Sequence, residues 1–118
     1  GPFIQYAYVR IQSILKKVNK DILIDKNYKL NEKEKEVIKT IYEYPSVIIT
    51  SYKELSPALI ANYLYDLVRN YNSLYQNYHI LNSETKESTS VRLSISQKTS
   101  HIIESACELL GIDLPDRM

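Results

Sequence analysis

Apolar residues recur every three to four positions along most of this chain. The clearest run lies between Leu59 and Leu81, LIANYLYDLVRNYNSLYQNYHIL. At about 100° per residue, Ile60, Tyr63, Leu64, Leu67, Val68, Tyr71, Leu74, Tyr75 and Tyr78 share one side of a helix. Asn62, Tyr65, Arg69, Asn72 and Gln76 gather on another side. A solvated face more often carries Lys and Glu. Amides, a ring and a guanidinium in one column instead suit contact with planar polar groups.

The same periodicity places the other elements. A first helix is predicted over Pro2–Asp21, with Pro tolerated at its start. Its apolar stripe is Ile4, Ala7, Tyr8, Ile11, Ile14, Leu15, Val18 and Ile22, and Tyr6, Arg10, Ser13 and Lys17 line the opposite side. Residues Leu23–Leu30 read as a connector. Asn31 then caps a second helix, with Glu34 completing a capping-box pair. Val37, Ile38, Ile41 and Tyr42 supply its buried side, and Pro45 is expected to end it by displacing Tyr44 from helical geometry. Ser46–Glu54 is β-branched and ambiguous, but a lone strand has no partner, so a short helix is expected. Ser56-Pro57 signals a fourth helix, running to about Tyr78. Asn82–Thr89 is a polar loop. A fifth helix is expected over about Ser88–Leu110, buried through Val91, Ile95, Ile102, Ala106 and Leu109, with Gly111 as its left-handed cap. The sum is an all-α bundle of about five helices in a single domain, 1–118.

Composition sharpens this picture at two points. The chain of 118 residues carries eleven Tyr against one Phe and no Trp. Tyr suits surfaces that are half apolar and half wet; AT-rich codon usage explains the total equally well, but not where the rings fall. Net charge is only +1, too mild to mark a nucleic-acid binder by itself. A lone Cys107 permits no internal disulfide and fits a reducing, cytoplasmic location. No apolar run reaches the length of a membrane span, and no signal peptide is visible. The chain opens on Gly1 and has no initiating Met, which reads as a fragment.

No catalytic constellation emerges. His79 and His101 lie in different elements without metal-ligand spacing, and no glycine-rich phosphate loop occurs. Cys107 reads as buried filler, and Glu32, Glu34 and Glu36 as a solvated helix start. No catalysis and no metal site are expected. The binding reading rests instead on the helix columns, because unpaired bases stack on aromatic or guanidinium planes while amides meet their edges and cations hold phosphates. Tyr63, Tyr71 and Tyr78 lie on the core stripe as packing residues, and Tyr75 at its edge fits either role. Asn72 could equally crosslink helices, and Arg92 could pair with Asp66 or a glutamate.

Three segments read as a set: QYAYVRIQSILKK (Gln5–Lys17), Leu59–Leu81 and the terminus ELLGIDLPDRM (Glu108–Met118). Together they resemble the C-terminal anticodon-binding domain of arginyl-tRNA synthetases, class I aminoacyl-tRNA synthetases, over essentially the whole chain. The resemblance implies a partner, the anticodon stem-loop of an arginine tRNA, and an upstream catalytic domain of the same chain. It implies that the parent enzyme ligates arginine to tRNA using ATP with magnesium in the cytoplasm, with no cofactor in this piece and no role for DNA or membrane. It assigns anticodon contact or its support to Tyr6, Arg10, Asn62, Tyr65, Asn72, Tyr75, Arg92 and Met118, the last as the natural C-terminus. The rival reading is a helical protein–protein interaction domain without an RNA ligand, which would expose a dominant apolar patch.

Overall fold

The computed structural model describes residues 2–18 and 24–115. Among these, five helices follow in order: α1 (Pro2–Lys16), α2 (Glu32–Tyr42), α3 (Tyr44–Glu54), α4 (Pro57–Asn77) and α5 (Lys86–Leu110). The all-α class and the helix count agree with the periodicity. Phe3 meets Tyr65, and Arg10 meets Asn72, so α1 and α4 run in the same direction. Gln5 reaches the Asp113 carbonyl while Gln12 donates to Ser100, so α5 runs against α1. The starts of α1 and α4 and the end of α5 therefore share one end of the bundle.

α5 is the hub. It packs against α1, α2 and α4, and its central turns are covered nearly all round. Small polar residues permit this: Ser96, Thr99 and Ser100 are fully buried where neighbouring helices approach. Ser96 returns its hydroxyl proton to the Arg92 carbonyl at 2.8 Å and meets the Tyr71 hydroxyl at 2.6 Å. Along the α4 stripe Ile60, Tyr63, Leu64, Leu67, Val68, Tyr71 and Leu74 are buried and Tyr78 packs at the margin, while Tyr75 at the stripe's edge is exposed. In α1 the same holds for Ile4, Ala7, Ile11 and Ile14, with Tyr8, Leu15 and Val18 packed at the margin. Ile22 and the expected helix end at Asp21 lie outside the described residues; the last regular turn closes at Lys16 with tightened bonds from Lys17 and Val18.

Several expectations are corrected. Pro45 does not displace Tyr44: α2 ends at Tyr42, Glu43 serves as the cap on both sides, and α3 begins at Tyr44 with Pro45 in its first turn. Tyr44 is buried, its ring centroid 5.4 Å from that of Tyr63 and its hydroxyl 2.8 Å from Ser105. Tyr42 is exposed instead, because α3 leaves the bundle surface beyond it uncovered. α5 starts at Lys86, ahead of the expected Ser88, since Thr85 and Ser88 form a second capping box. Leu109 is exposed, not buried. Gly111 does adopt the left-handed cap, at φ 71°.

The largest correction concerns Glu34. It was expected on a solvated helix start, yet it is fully buried. Its carboxylate accepts from the Asn31 backbone at 2.8 Å, from the Tyr28 hydroxyl at 2.9 Å and 3.1 Å, and from Arg92 Nε at 2.8 Å. One side chain thus closes the helix cap, holds the connector and pairs with the hub. Arg92, itself buried, also donates to the His79 carbonyl at 2.9 Å, lies 3.0 Å from Glu84 and sits over the Tyr78 ring at 4.8 Å. Burial works against its charge, but the Glu34 and Glu84 carboxylates more than offset this and raise its pKa.

Removing one partner of such a pair strands the other charge in the interior. Glu34→Ala is expected to lower stability by about 3–5 kcal/mol. In urea unfolding, Glu34→Ala and Arg92→Met should be non-additive, since either one already breaks the pair. A second expectation comes from two phenols. Burial raises Tyr63 strongly and Tyr71 to about 12, from 10.0. Because the folded state holds these protons more tightly than the unfolded chain, their stabilising contribution is intact below pH ~10 and is lost as pH rises through the folded value. Ultraviolet titration should therefore show a late tyrosinate phase that coincides with alkaline unfolding.

Candidate nucleic-acid interface

α1 and α4, running side by side, place their polar columns on the surface. Tyr6 is 55% exposed and Tyr65 51% exposed. The Tyr65 ring leans on Phe3 of α1, with centroids 4.6 Å apart and planes at 31°. Arg69, ion-paired to Asp66, lies 5.9 Å from the same ring. Tyr65 is thus braced across the helix–helix seam while about half of it faces water. Phe3 was not singled out by sequence reasoning, because its position falls on neither the apolar stripe nor the polar column of α1.

Further along the same seam, Arg10 donates to the Asn72 amide oxygen at 3.1 Å. Its guanidinium lies over the Tyr75 ring, 4.4 Å from the centroid. Arg10 and Asn72 are half-buried, and Tyr75 is 38% exposed. The stack is a flat, cationic ledge built from both helices: Tyr75 backs it, Asn72 fixes its rotation, and Arg10 keeps its charge near solvent. Asn72 does crosslink helices, as the bland reading of it allowed, and in doing so it aims the guanidinium. Asn62 and Gln76 are exposed at the two ends of the α4 column, and Ser13, Lys16 and Lys17 are exposed beyond Arg10 on α1.

The structure thus brings Tyr6, Arg10, Asn62, Tyr65, Asn72 and Tyr75 onto adjoining faces of two helices. Arg92 does not join them. The Glu34 carboxylate draws it into the core, where it is 2% exposed and its Nε and Nη1 donors are engaged by Glu34 and the His79 carbonyl. It pairs with glutamates rather than with Asp66, which pairs with Arg69. Met118 lies outside the described residues. Among the described residues, no group of His, Cys, Asp and Glu side chains could hold a metal ion, and no helix is long and apolar enough to cross a membrane. Cys107 is buried and its thiol is pushed up by that burial, which keeps it protonated and unreactive.

With this geometry established, comparison with known proteins is direct. The family model of the DALR anticodon binding domain matches residues 4–118. The chain belongs to that family. An arginine–tRNA ligase of Flavobacterium psychrophilum is 53% identical over 118 residues, covering 100% of this chain and 20% of that protein. One from Parabacteroides distasonis is 39% identical over 123 residues, covering 100% of this chain and 21% of the other. Among solved structures, Thermus thermophilus arginyl-tRNA synthetase superposes with a TM-score of 0.86 at 26% identity, covering 100% of this chain and 21% of that one. The chain therefore spans about a fifth of the length of the relatives it matches.

The ledge and the exposed rings separate in a stability assay. Arg10→Ala removes a hydrogen bond and a cation–π contact, and should cost about 1–2 kcal/mol in urea unfolding. Tyr6→Ala, with its ring largely in water, should stay within about 0.5 kcal/mol of the parent sequence.

Proposed function

We propose that this domain grips the anticodon stem-loop of an arginine tRNA on the seam between α1 and α4. The observation that supports this reading most directly is the Arg10 ledge flanked by outward-facing rings. Tyr6 and Tyr65 offer stacking faces to unpaired bases, and the outer plane of the Arg10 guanidinium offers another. Asn62 reads base edges, while Tyr75 and Asn72 hold the ledge in place. Lys16 and Lys17 at the end of α1 meet phosphates. Arg92 acts at a distance, by fixing α5 against α2 so that the bundle keeps its shape.

In this reading the parent protein is an arginine–tRNA ligase of the cytoplasm. It joins arginine to the tRNA with ATP and magnesium, and this domain contributes recognition and no chemistry. The catalytic domain lies upstream in the same chain. Splayed anticodon bases held here fix where the acceptor end falls, so binding energy at this seam sets which tRNA reaches the reaction. DNA and membranes are not partners: the interface is built for single-stranded bases.

Binding of arginine tRNA across a salt series tests the proposal. The logarithm of affinity should fall linearly with the logarithm of salt concentration, because lysines at the end of α1 displace the phosphates' condensed counterions into solution. Tyr6→Ala and Tyr65→Ala should each weaken binding by about 5- to 150-fold, the loss of one stacking contact of about 1–3 kcal/mol, with helical content unchanged. Unaltered affinity in both variants removes the seam as the binding site.

A further inference from the structure

α3 is an apolar helix that the bundle leaves largely uncovered. Tyr44 and Ser51 are its buried residues, whereas Ile49 is 55% and Tyr52 83% exposed. Leu55, which caps α3, is 86% exposed and holds φ 51°, a left-handed conformation that glycine adopts far more readily than leucine. A shallow cleft beside it runs over Ile48, Tyr52, Leu55, Pro57, Ile60 and Leu109, with the hydroxyls of Ser51 and Ser56 as its polar groups. A contiguous exposed patch of this kind marks an interaction surface rather than a solvated face.

We propose that this face of α3, with Leu109 at the end of α5, is where the remainder of the parent synthetase chain docks on the domain. The proposal rests on the family reading above and adds to it a surface distinct from the α1–α4 seam. Three observations favour this occupant. The domain is about a fifth of the length of its relatives, so about four-fifths of a parent chain lies outside it. The cleft lies at the bundle end shared by the start of α1, the start of α4 and the end of α5, as the Gln5–Asp113 and Phe3–Tyr65 contacts establish. Chain leading into α1 therefore enters at the same end of the bundle as the cleft. Finally, the cleft is lined by no charged side chain, so a phosphate backbone finds no cation there, while an apolar protein surface finds a match.

Hydroxyl-radical footprinting of the full-length parent synthetase, without tRNA, decides the matter. Tyr52 is more exposed than Tyr65 in this domain, so on a free face Tyr52 would oxidise the faster of the two rings. Docking instead predicts oxidation at Tyr52 severalfold slower than at Tyr65, oxidation at Leu55 slower than in the Tyr52→Ser parent, and oxidation at Leu109 slower than in the Leu55→Asp or Tyr52→Ser parent. Leu55→Asp should restore rapid oxidation of Tyr52 and leave Tyr65 unchanged, and Tyr52→Ser should likewise release Leu109. Rapid oxidation of Tyr52 and Leu55 in the unaltered parent overturns the proposal. Protection that appears only on adding tRNA, or only as protein concentration rises, also overturns it, in favour of RNA or a second copy. If the footprint fails while tRNA binding still responds to Tyr6→Ala and Tyr65→Ala, the docking face falls alone and the anticodon reading stands.

Discussion

The buried pair of Glu34 and Arg92 is the interaction on which this bundle turns. A carboxylate and a guanidinium removed from water are tolerable only when every lone pair and proton finds a partner. Here the partners come from parts of the chain far apart in sequence: Tyr28 and Asn31 before α2, the His79 carbonyl just after α4, and Glu84 before α5. The pair therefore does more than attract two charges. It dictates where α2 begins and how the α4–α5 connection folds back. An apolar pair of similar bulk would fill the space but would not dictate those positions, because packing alone accepts small rotations that hydrogen bonds refuse.

That arrangement leaves the other side of the molecule free for contact. α1 reaches the core through four small or aliphatic buried residues with Phe3, Tyr8 and Leu15 packed at the margin, and Tyr6 and Ser13 on its other side stay exposed. The rings and amides there are held by neighbours across the seam: Tyr65 against Phe3, Asn72 and Tyr75 against Arg10. A surface stiffened in this way loses little freedom on meeting a ligand, so more of the contact energy remains as affinity. The two halves of the domain thus divide their work, one fixing the helices and the other presenting their outer groups.

Much of this was legible in the residues. The α4 stripe, the Asn31–Glu34 box and the Gly111 cap are local patterns, and each appears where its spacing placed it. The outward polar columns of α1 and α4 were legible for the same reason. What the sequence could not carry was tertiary pairing. Glu34 looks identical to its neighbours Glu32 and Glu36 until Arg92 arrives from a distant helix. Arg92 sits within an apolar arc, and nothing local distinguishes a base-reading guanidinium from a core one. Tyr42 and Leu109 fit their stripes by angle but are exposed in the folded domain, because a stripe's direction does not show whether a neighbouring helix reaches that turn. Phe3 gained its place only once α1 and α4 were known to run side by side.

Glu43 ends one helix and starts the next with no residue to spare. Adding a single amino acid at this elbow would turn everything after it by about 100° about the helix axis. Tyr44 would swing off both Tyr63 and Ser105, and the aromatic step that seats the second half of the chain would vanish. Length is therefore frozen at this joint.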